Sequence, residues 1–285
     1  MSYCDSHPFD RSGAGALSDF ATPEWRALFN QLEQANDRFR AHEAAFRSPD
    51  YPWPRDPLHD WSRSWEYPYA YHQLATFRRA WTGSALPVVV DVGCGVTFFP
   101  FAVAALGYDV RCTDTDPICR TDLGRAIPLV EARPGRVEFG LIENGRLPLA
   151  DGAAAAVFCI SVVEHIPQFE ATVREMARVL QPGGLLVLTN DLDLRGDHEI
   201  GIPRYQDLRR ALRRDFEPVH PEVSVHPADL LRTANGPYPS ATPQGAARAW
   251  FQFKQRLVKP LLGRPPRPLL AYDLAVQAFT LRRHT

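Results

Sequence analysis

Three sets of residues in this chain have types and spacings that could do chemistry. The first is Asp91, Gly93, Cys94 and Gly95, which follow the apolar run Val88-Val89-Val90. Glycines there let the chain turn sharply and let a ligand approach the backbone, and a helix starting just beyond would offer free N–H groups. Asp114 lies 21 residues past Gly93. A carboxylate at that distance can accept both hydroxyls of a ribose. The second set is His165, whose imidazole titrates near neutrality and suits proton removal. The third is the aromatic segment with Trp61, Arg63, Trp65, Tyr67, Tyr69, Tyr71 and His72. Arg63 can pair with a carboxylate, and the rings can stack on a planar or sugar-like molecule. Asp191, Asp193 and His198 form a further loop group. It suits substrate contact better than a metal, because loop acids are normally solvated.

The spacing of the glycines narrows the ligand. A dinucleotide-binding turn wants a third glycine where this chain has Phe98. Asp91 just before the turn would repel a phosphate. The sulfonium and amino groups of S-adenosylmethionine are cationic, and an acid suits them.

The elements that must hold these residues alternate. Strands are expected at 88–90, 109–113, 137–141, 155–160 and 185–189, with a short one near Phe216. Helices are expected at 98–106, 169–180 and 205–213. Gln181-Pro182-Gly183-Gly184 stops the second of these. That alternation predicts an α/β fold with a mostly parallel sheet covered on both faces. Residues 1–80 carry a helix over 24–46, breaks at Pro52, Pro54 and Pro57, and a loop and helix over 60–79 that could close as a lid. Residues 220–285 carry a basic amphipathic helix over 246–262 and a segment over 271–282 that suits a last strand, with a helix as the alternative. The helix has Trp250, Phe251 and Phe253 among its cations, so it suits packing on its own domain, a membrane surface or a homodimer face. The expected division is 1–80, 81–219 and 220–285.

Over 86–219 the sequence resembles the class I S-adenosylmethionine-dependent methyltransferases. The matching pieces, in order, are DVGCG (91–95), CTDTDP (112–117), ENGRLPLADG (143–152), SVVEHIP (161–167) and RVLQPGGLLVLTN (178–190). The resemblance implies a Rossmann-like, doubly wound seven-stranded sheet with S-adenosylmethionine as cofactor. It places Asp91, Cys94 and the two glycines at the methionine part of the cofactor; the aromatic segment, folding over as a lid, would bring Arg63 and Tyr67 to the same part. It places Asp114 at the ribose and Thr115 against the adenine. Glu143 and the Asn144 backbone fall at the adenine edge. Ser161 and Val162 wall the pocket beneath the sulfonium. Read from the residues themselves, His165 suits a general base or the packing or capping of the following helix, and Trp65, Tyr69, Tyr71 and His72 suit substrate contact or core packing, with Asp191 and His198 as further substrate contacts. Thr97 replaces a glycine common in the family and is expected to cap the following helix.

Composition excludes several alternatives. Net charge is −1, and only two of the 32 basic residues are lysines. Nucleic acid is therefore an unsuitable partner. Five cysteines without a C-x-x-C pair argue against a zinc site or a disulfide framework. No secretory leader or membrane-spanning run is visible, so a cytoplasmic location is expected. Ser161-Val-Val-Glu stands where the families that methylate amide or exocyclic amino nitrogens in nucleic acid or protein carry Asn-Pro-Pro-aromatic, and no cysteine follows a proline as DNA cytosine C5 methylation needs. The expected reaction is methylation of a small molecule, with a hydroxyl of a secondary metabolite or saccharide as acceptor. The alternatives are a same-fold protein using the cofactor or its demethylated product for non-methylating chemistry or sensing, and a nucleotide-sugar or NAD enzyme.

Overall fold

The computed structural model describes residues 7–195, 200–240, 249–250, 253–258 and 273–285. Its centre is a sheet of nine strands: β1 (Ser12–Ala14), β2 (Val88–Val92), β3 (Asp109–Asp114), β4 (Arg136–Leu141), β5 (Ala154–Ile160), β6 (Leu180–Asp193), β7 (Phe216–Pro218), β8 (Glu222–Val223) and β9 (Leu274–Arg283). Their order is β4-β3-β2-β5-β6-β9-β1-β8, and β7 also pairs with β9. Strands β2 to β6 run parallel to their neighbours, and β9 runs antiparallel to β6. Seven of the nine are the expected strands. β1 and β8 are additions at the outer edge, where β1 and β7 pair with different stretches of β9.

The helices are α1 (Pro23–Arg40), α2 (Glu43–Phe46), α3 (Arg63–Ala80), α4 (Phe99–Ala105), α5 (Pro117–Ala126), α6 (Phe169–Val179) and α7 (Ile202–Asp215). Consecutive strand residues feed opposite cores, as the two-residue period of a strand requires. Val89, Phe158 and Val187 join the rings of α1, α3 and α4 on one face. Val90, Val157 and Leu186 join Phe169, Met176 and Leu208 of α6 and α7 on the other. The first helix ends earlier than expected, at Arg40, and α2 follows separately. β6 begins at Leu180 rather than Leu185, because Leu180 pairs with Ala154 before an irregularity in the ladder. Of the basic helix expected over 246–262, residues 254–258 form a short helical turn, and the rest lies largely outside the described residues. Trp250 and Phe253 stack on each other and are exposed.

Two features of this sheet matter for function. The chain winds outward from β2 in both directions, through β3 and β4 on one side and through β5 and β6 on the other. The crevice at the carboxyl ends of β2 and β5 is thus the topological switch point, where open α/β sheets bind ligands. The N-terminal residues also belong to the same packing unit. Trp25, Phe39, Trp65 and Tyr69 are buried in one cluster with the strands.

Candidate active site

The glycine turn has the geometry that its residue types predicted. Gly93 (φ 74°) and Gly95 (φ 52°) both adopt left-handed backbone, which a side chain makes costly. The Gly93 and Cys94 N–H groups both donate to the Thr113 carbonyl, at 2.8 and 3.0 Å. The Gly95 N–H donates to Asp114 Oδ2 at 2.9 Å, and the Asp116 N–H donates to Oδ1 at 3.0 Å. Asp114 is half-buried, so each oxygen keeps lone pairs for hydroxyl donors. Thr115 is exposed beside it. Asp91 is buried, and burial followed by repulsion from Asp114 pushes its carboxyl well above the usual range. A cation placed there would reverse that shift.

Across the switch point, Ser161 leaves β5 with φ 47°. This left-handed backbone on a non-glycine residue is a strain found most often at functional sites. One donor and one acceptor from α3 fix its hydroxyl. Ser161 Oγ donates to Glu66 Oε1 at 2.7 Å and accepts from Arg63 Nη1 at 2.5 Å. Arg63 Nη1 also meets Glu66 Oε2 at 2.5 Å. Val162 stands directly opposite Gly93. Glu143, Asn144, Gly145 and Arg146 form an exposed turn, with Asn144 at φ 52°. The Ile142 N–H donates to the Asp114 carbonyl at 2.8 Å, which sets this turn at the same edge.

Several predicted residues sit differently. The aromatic segment is not a flap. Trp65 donates to Asp19 at 2.7 Å, and Tyr69 hydrogen-bonds Arg11 and Thr280. Tyr71 accepts from Gln31, and His72 pairs with Asp10 at 2.8 Å and stacks on His7. All four rings are buried. The substrate contacts expected of Trp65, Tyr69, Tyr71 and His72 are therefore replaced by core packing. An amphipathic aromatic ring that finds an internal partner for its polar tip is stable in the interior. Tyr67 is also buried, stacked on Phe99. Its hydroxyl engages Thr97, near Asp91. Thr97 thus does not cap α4, whose N-cap is Phe98. Cys94 presents only its backbone to the turn, since its thiol is buried against Cys112. His165 is exposed on a 3-10 turn after Val162. His198 lies outside the described residues.

The structure adds residues that the sequence did not mark. The roof is the proline-rich segment ahead of α3. The Tyr51 hydroxyl accepts from the Val96 N–H at 2.8 Å, while Arg47 donates to the Val96 carbonyl at 2.9 Å. Two residues on, the Trp53 ring lies 6.5 Å from the His165 ring. Asp56 anchors the far end through Asn36, Arg40 and His59. The segment therefore bridges the glycine turn and the turn after β5. Beneath His165, Glu164 is buried, and its Oε1 accepts from the Asp191 N–H at 3.2 Å. Pro52 and Pro54 around Trp53, and the acid three residues after Arg63, were the only sequence signals of these roles.

Residues 90–188 match the methyltransferase domain family. They are a class I methyltransferase domain. The family and its fold imply S-adenosylmethionine as cofactor. The domain fits it: two left-handed glycines, an open ribose acceptor and an acidic crevice for cationic groups. An uncharacterized methyltransferase of Mycolicibacterium gilvum (strain PYR-GCK) is 34% identical over 140 residues, which is 48% of this chain and 53% of that protein. One from Mycobacterium bovis (strain BCG / Pasteur 1173P2) is 34% identical over 143 residues, 50% of this chain and 53% of that protein. The chain thus spans about half the length of these relatives. The crystal structure of the cyclase SpnF superposes with TM-score 0.51 at 17% identity, covering 96% of this chain and 100% of that one. That likeness concerns the fold of the methyltransferase domain and its extensions.

Proposed function

We propose that this chain transfers a methyl group from S-adenosylmethionine to a nucleophilic heteroatom of a small molecule. The observation that carries this reading is the Gly95 N–H on the Asp114 carboxylate, 2.9 Å across the switch point. It joins the glycine turn to a ribose acceptor in one rigid unit. Asp114 would hold the ribose hydroxyls, with Thr115, Glu143 and the Asn144 backbone at the adenine. Asp91, Gly93 and the Cys94 and Gly95 backbone would line the methionine part, and Arg63 would pair with its carboxylate. Tyr67 supports that floor through Thr97. When bound, S-adenosylmethionine supplies a methyl already activated by its positive sulfur.

The protein's own work is then alignment, exclusion of water and movement of a proton. Ser161 and Val162 form the wall behind the reacting centre. Tyr51 and Trp53 close it from above. Glu164 and the exposed His165 are the two groups placed to take a proton from the acceptor. Asp191 neighbours them and faces the acceptor side. The hydroxyl of a secondary metabolite or saccharide, expected from the sequence, rests on how often oxygen is the acceptor in similar enzymes. A net charge of −1 suits a small-molecule partner better than nucleic acid. Among the described residues no helix is long and apolar enough to cross a membrane. We place the chain in the cytoplasm.

Calorimetry with S-adenosylhomocysteine, NAD and a sugar nucleotide tests the reading. S-adenosylhomocysteine should bind, and at 100 times its Kd should stabilise the fold by about 2.7 kcal/mol. Stabilisation by NAD or the sugar nucleotide instead would refute it.

A further inference from the structure

The crevice holds more negative charge than its cofactor needs. Asp60, Glu66, Glu164 and Asp191 lie about the Arg63 guanidinium, while the nearby Arg204 guanidinium is engaged by the Glu164 and Ile166 carbonyls. Arg63 contacts Glu66 directly, and among the described residues the carboxyls of the other three have no Lys or Arg ion pair. The cofactor has a sulfonium and an amino group against one carboxylate, so it brings one net positive charge. Asp91 and Asp114 already face its side of the Ser161–Val162 wall.

A second observation points to a missing donor. Glu164 is 3% exposed, yet its Oε2 is buried with no hydrogen-bond partner. Asp191 Oδ1 is in the same condition. The two residues are in contact, since the Asp191 N–H meets the other oxygen of Glu164 at 3.2 Å. Buried carboxyl oxygens are normally satisfied, and two orphans in one crevice describe a place where a donor belongs. Burial first, and the neighbouring carboxyls next, push Asp191 well above the usual range; burial lifts Glu164 to about 7. Both shifts are those of groups awaiting positive charge. No three His, Cys, Asp or Glu side chains among the described residues are arranged to hold a metal ion.

The mouth adds a third feature. Trp53 is 54% exposed, held between Pro52 and Pro54, and its ring faces His165. An indole face is the best aromatic surface for a cation, and prolines on either side restrict the backbone that presents it. A hydroxyl acceptor would develop negative charge among these carboxyls as it lost its proton. An amine enters as an ammonium and leaves as a methylated ammonium, so the same carboxyls favour both its bound form and its product.

Resting on the methyltransferase reading, we propose that the methyl acceptor is a small amine, bound as its ammonium ion between the Trp53 ring and the carboxyl groups of Glu164 and Asp191. The ammonium gives one proton to Glu164, which passes it through the exposed His165 to water. The freed nitrogen lone pair forms the new N–C bond to the methyl carbon. The C–S bond breaks with its electron pair going to sulfur, leaving neutral S-adenosylhomocysteine and a methylated ammonium. Nitrogen thus takes the place of the oxygen acceptor expected from the sequence.

The test uses the full chain saturated with S-adenosylhomocysteine and three matched pairs: 2-phenylethylamine with 2-phenylethanol, tryptamine with tryptophol, and glucosamine with glucose. The amine should bind at least about tenfold more tightly than its alcohol in one pair or more. With methyl-labelled S-adenosylmethionine, that amine should carry the label on nitrogen. Glu164→Gln, Asp191→Asn and Trp53→Leu should each weaken the amine about tenfold. All three should leave the S-adenosylhomocysteine Kd within about twofold, because that ligand has no sulfonium charge to lose. If S-adenosylhomocysteine binds and no pair favours the amine, or the variants leave amine affinity unchanged, the acceptor proposal is wrong and the methyltransferase reading stands. If S-adenosylhomocysteine does not bind wild type, both fall together.

Discussion

Gly93 and Val162 approach so closely that a Cβ on the glycine would lie 2.6 Å from Val162 Cγ2. The glycine turn after β2 and the wall after β5 are thereby locked against each other. The left-handed backbone at Gly93 adds to the constraint. Gly93→Ala should destabilise the fold by about 1–3 kcal/mol and reduce S-adenosylhomocysteine binding with it. Urea unfolding and calorimetry check both parts; a variant with unchanged Tm and Kd would show that the two turns are free to part.

Asp114 is the acceptor on which the nucleoside reading depends. Asp114→Ala should weaken S-adenosylhomocysteine about 30- to 100-fold, the loss of about two hydrogen bonds to hydroxyls. Unchanged affinity by calorimetry removes the ribose role.

Tyr51 satisfies the buried Val96 N–H. Tyr51→Phe leaves that donor orphaned while keeping the ring under the Arg47 guanidinium, 4.4 Å away. The expected cost is about 1–3 kcal/mol. A urea midpoint equal to wild type would mean that water reaches Val96 and that the roof is looser than its geometry indicates.

Glu164 gives the ligand-free protein a pH signature. Burial is the main cause of its rise from 4.5 to about 7; His165 and Arg63 oppose the rise and Glu66 adds to it. Asp191 lies against the same group, Asp60 against Asp191, and Arg204 holds the Glu164 carbonyl. A carboxyl whose folded value is raised stabilises the fold fully below its unfolded value, and this is lost as pH climbs through the folded value. Wild type should therefore lose ground to Glu164→Gln between about pH 4.5 and about 7. Thermal unfolding of the pair across that window should show the Tm gap widening in favour of the variant. A gap that narrows or stays flat contradicts the buried, donor-poor environment.

His165 is the exit for the proton in the proposed reaction. His165→Ala should lower kcat by about 10²-fold or more with little change in S-adenosylhomocysteine affinity. Wild-type turnover in that variant would leave Glu164 to reach water unaided.

Much of this was legible along the chain. The Val88–Val92 strand, the glycine turn and Asp114 declare themselves because their chemistry is local: a buried apolar run, a left-handed turn and an acid at the end of the next strand. The same holds for Ser161 and Val162, fixed by the strand they end. The C-terminal stretch suited strand or helix alike by its residues, and pairing along β6 made it a strand. What the sequence could not say was which face of α3 looks inward. Trp65, Tyr69, Tyr71 and His72 have the composition of a binding surface, but each found a buried partner far away in sequence, such as Thr280 for Tyr69. Conversely, Trp53 reads along the chain as a loop aromatic and Glu164 as an acid serving a helix N-terminus. Folding brought one over His165 and set the other beneath it, beside Asp191.

The chain by itself determined the fold class, the glycine turn and the acid that faces it, because hydrophobic period and turn chemistry act over a few residues. Only the tertiary structure decided what roofs that crevice and what charge faces the acceptor. Those depend on contacts such as Arg63 with Ser161, 98 positions apart. No local pattern encodes which of many buried acids will lose its water and find no donor.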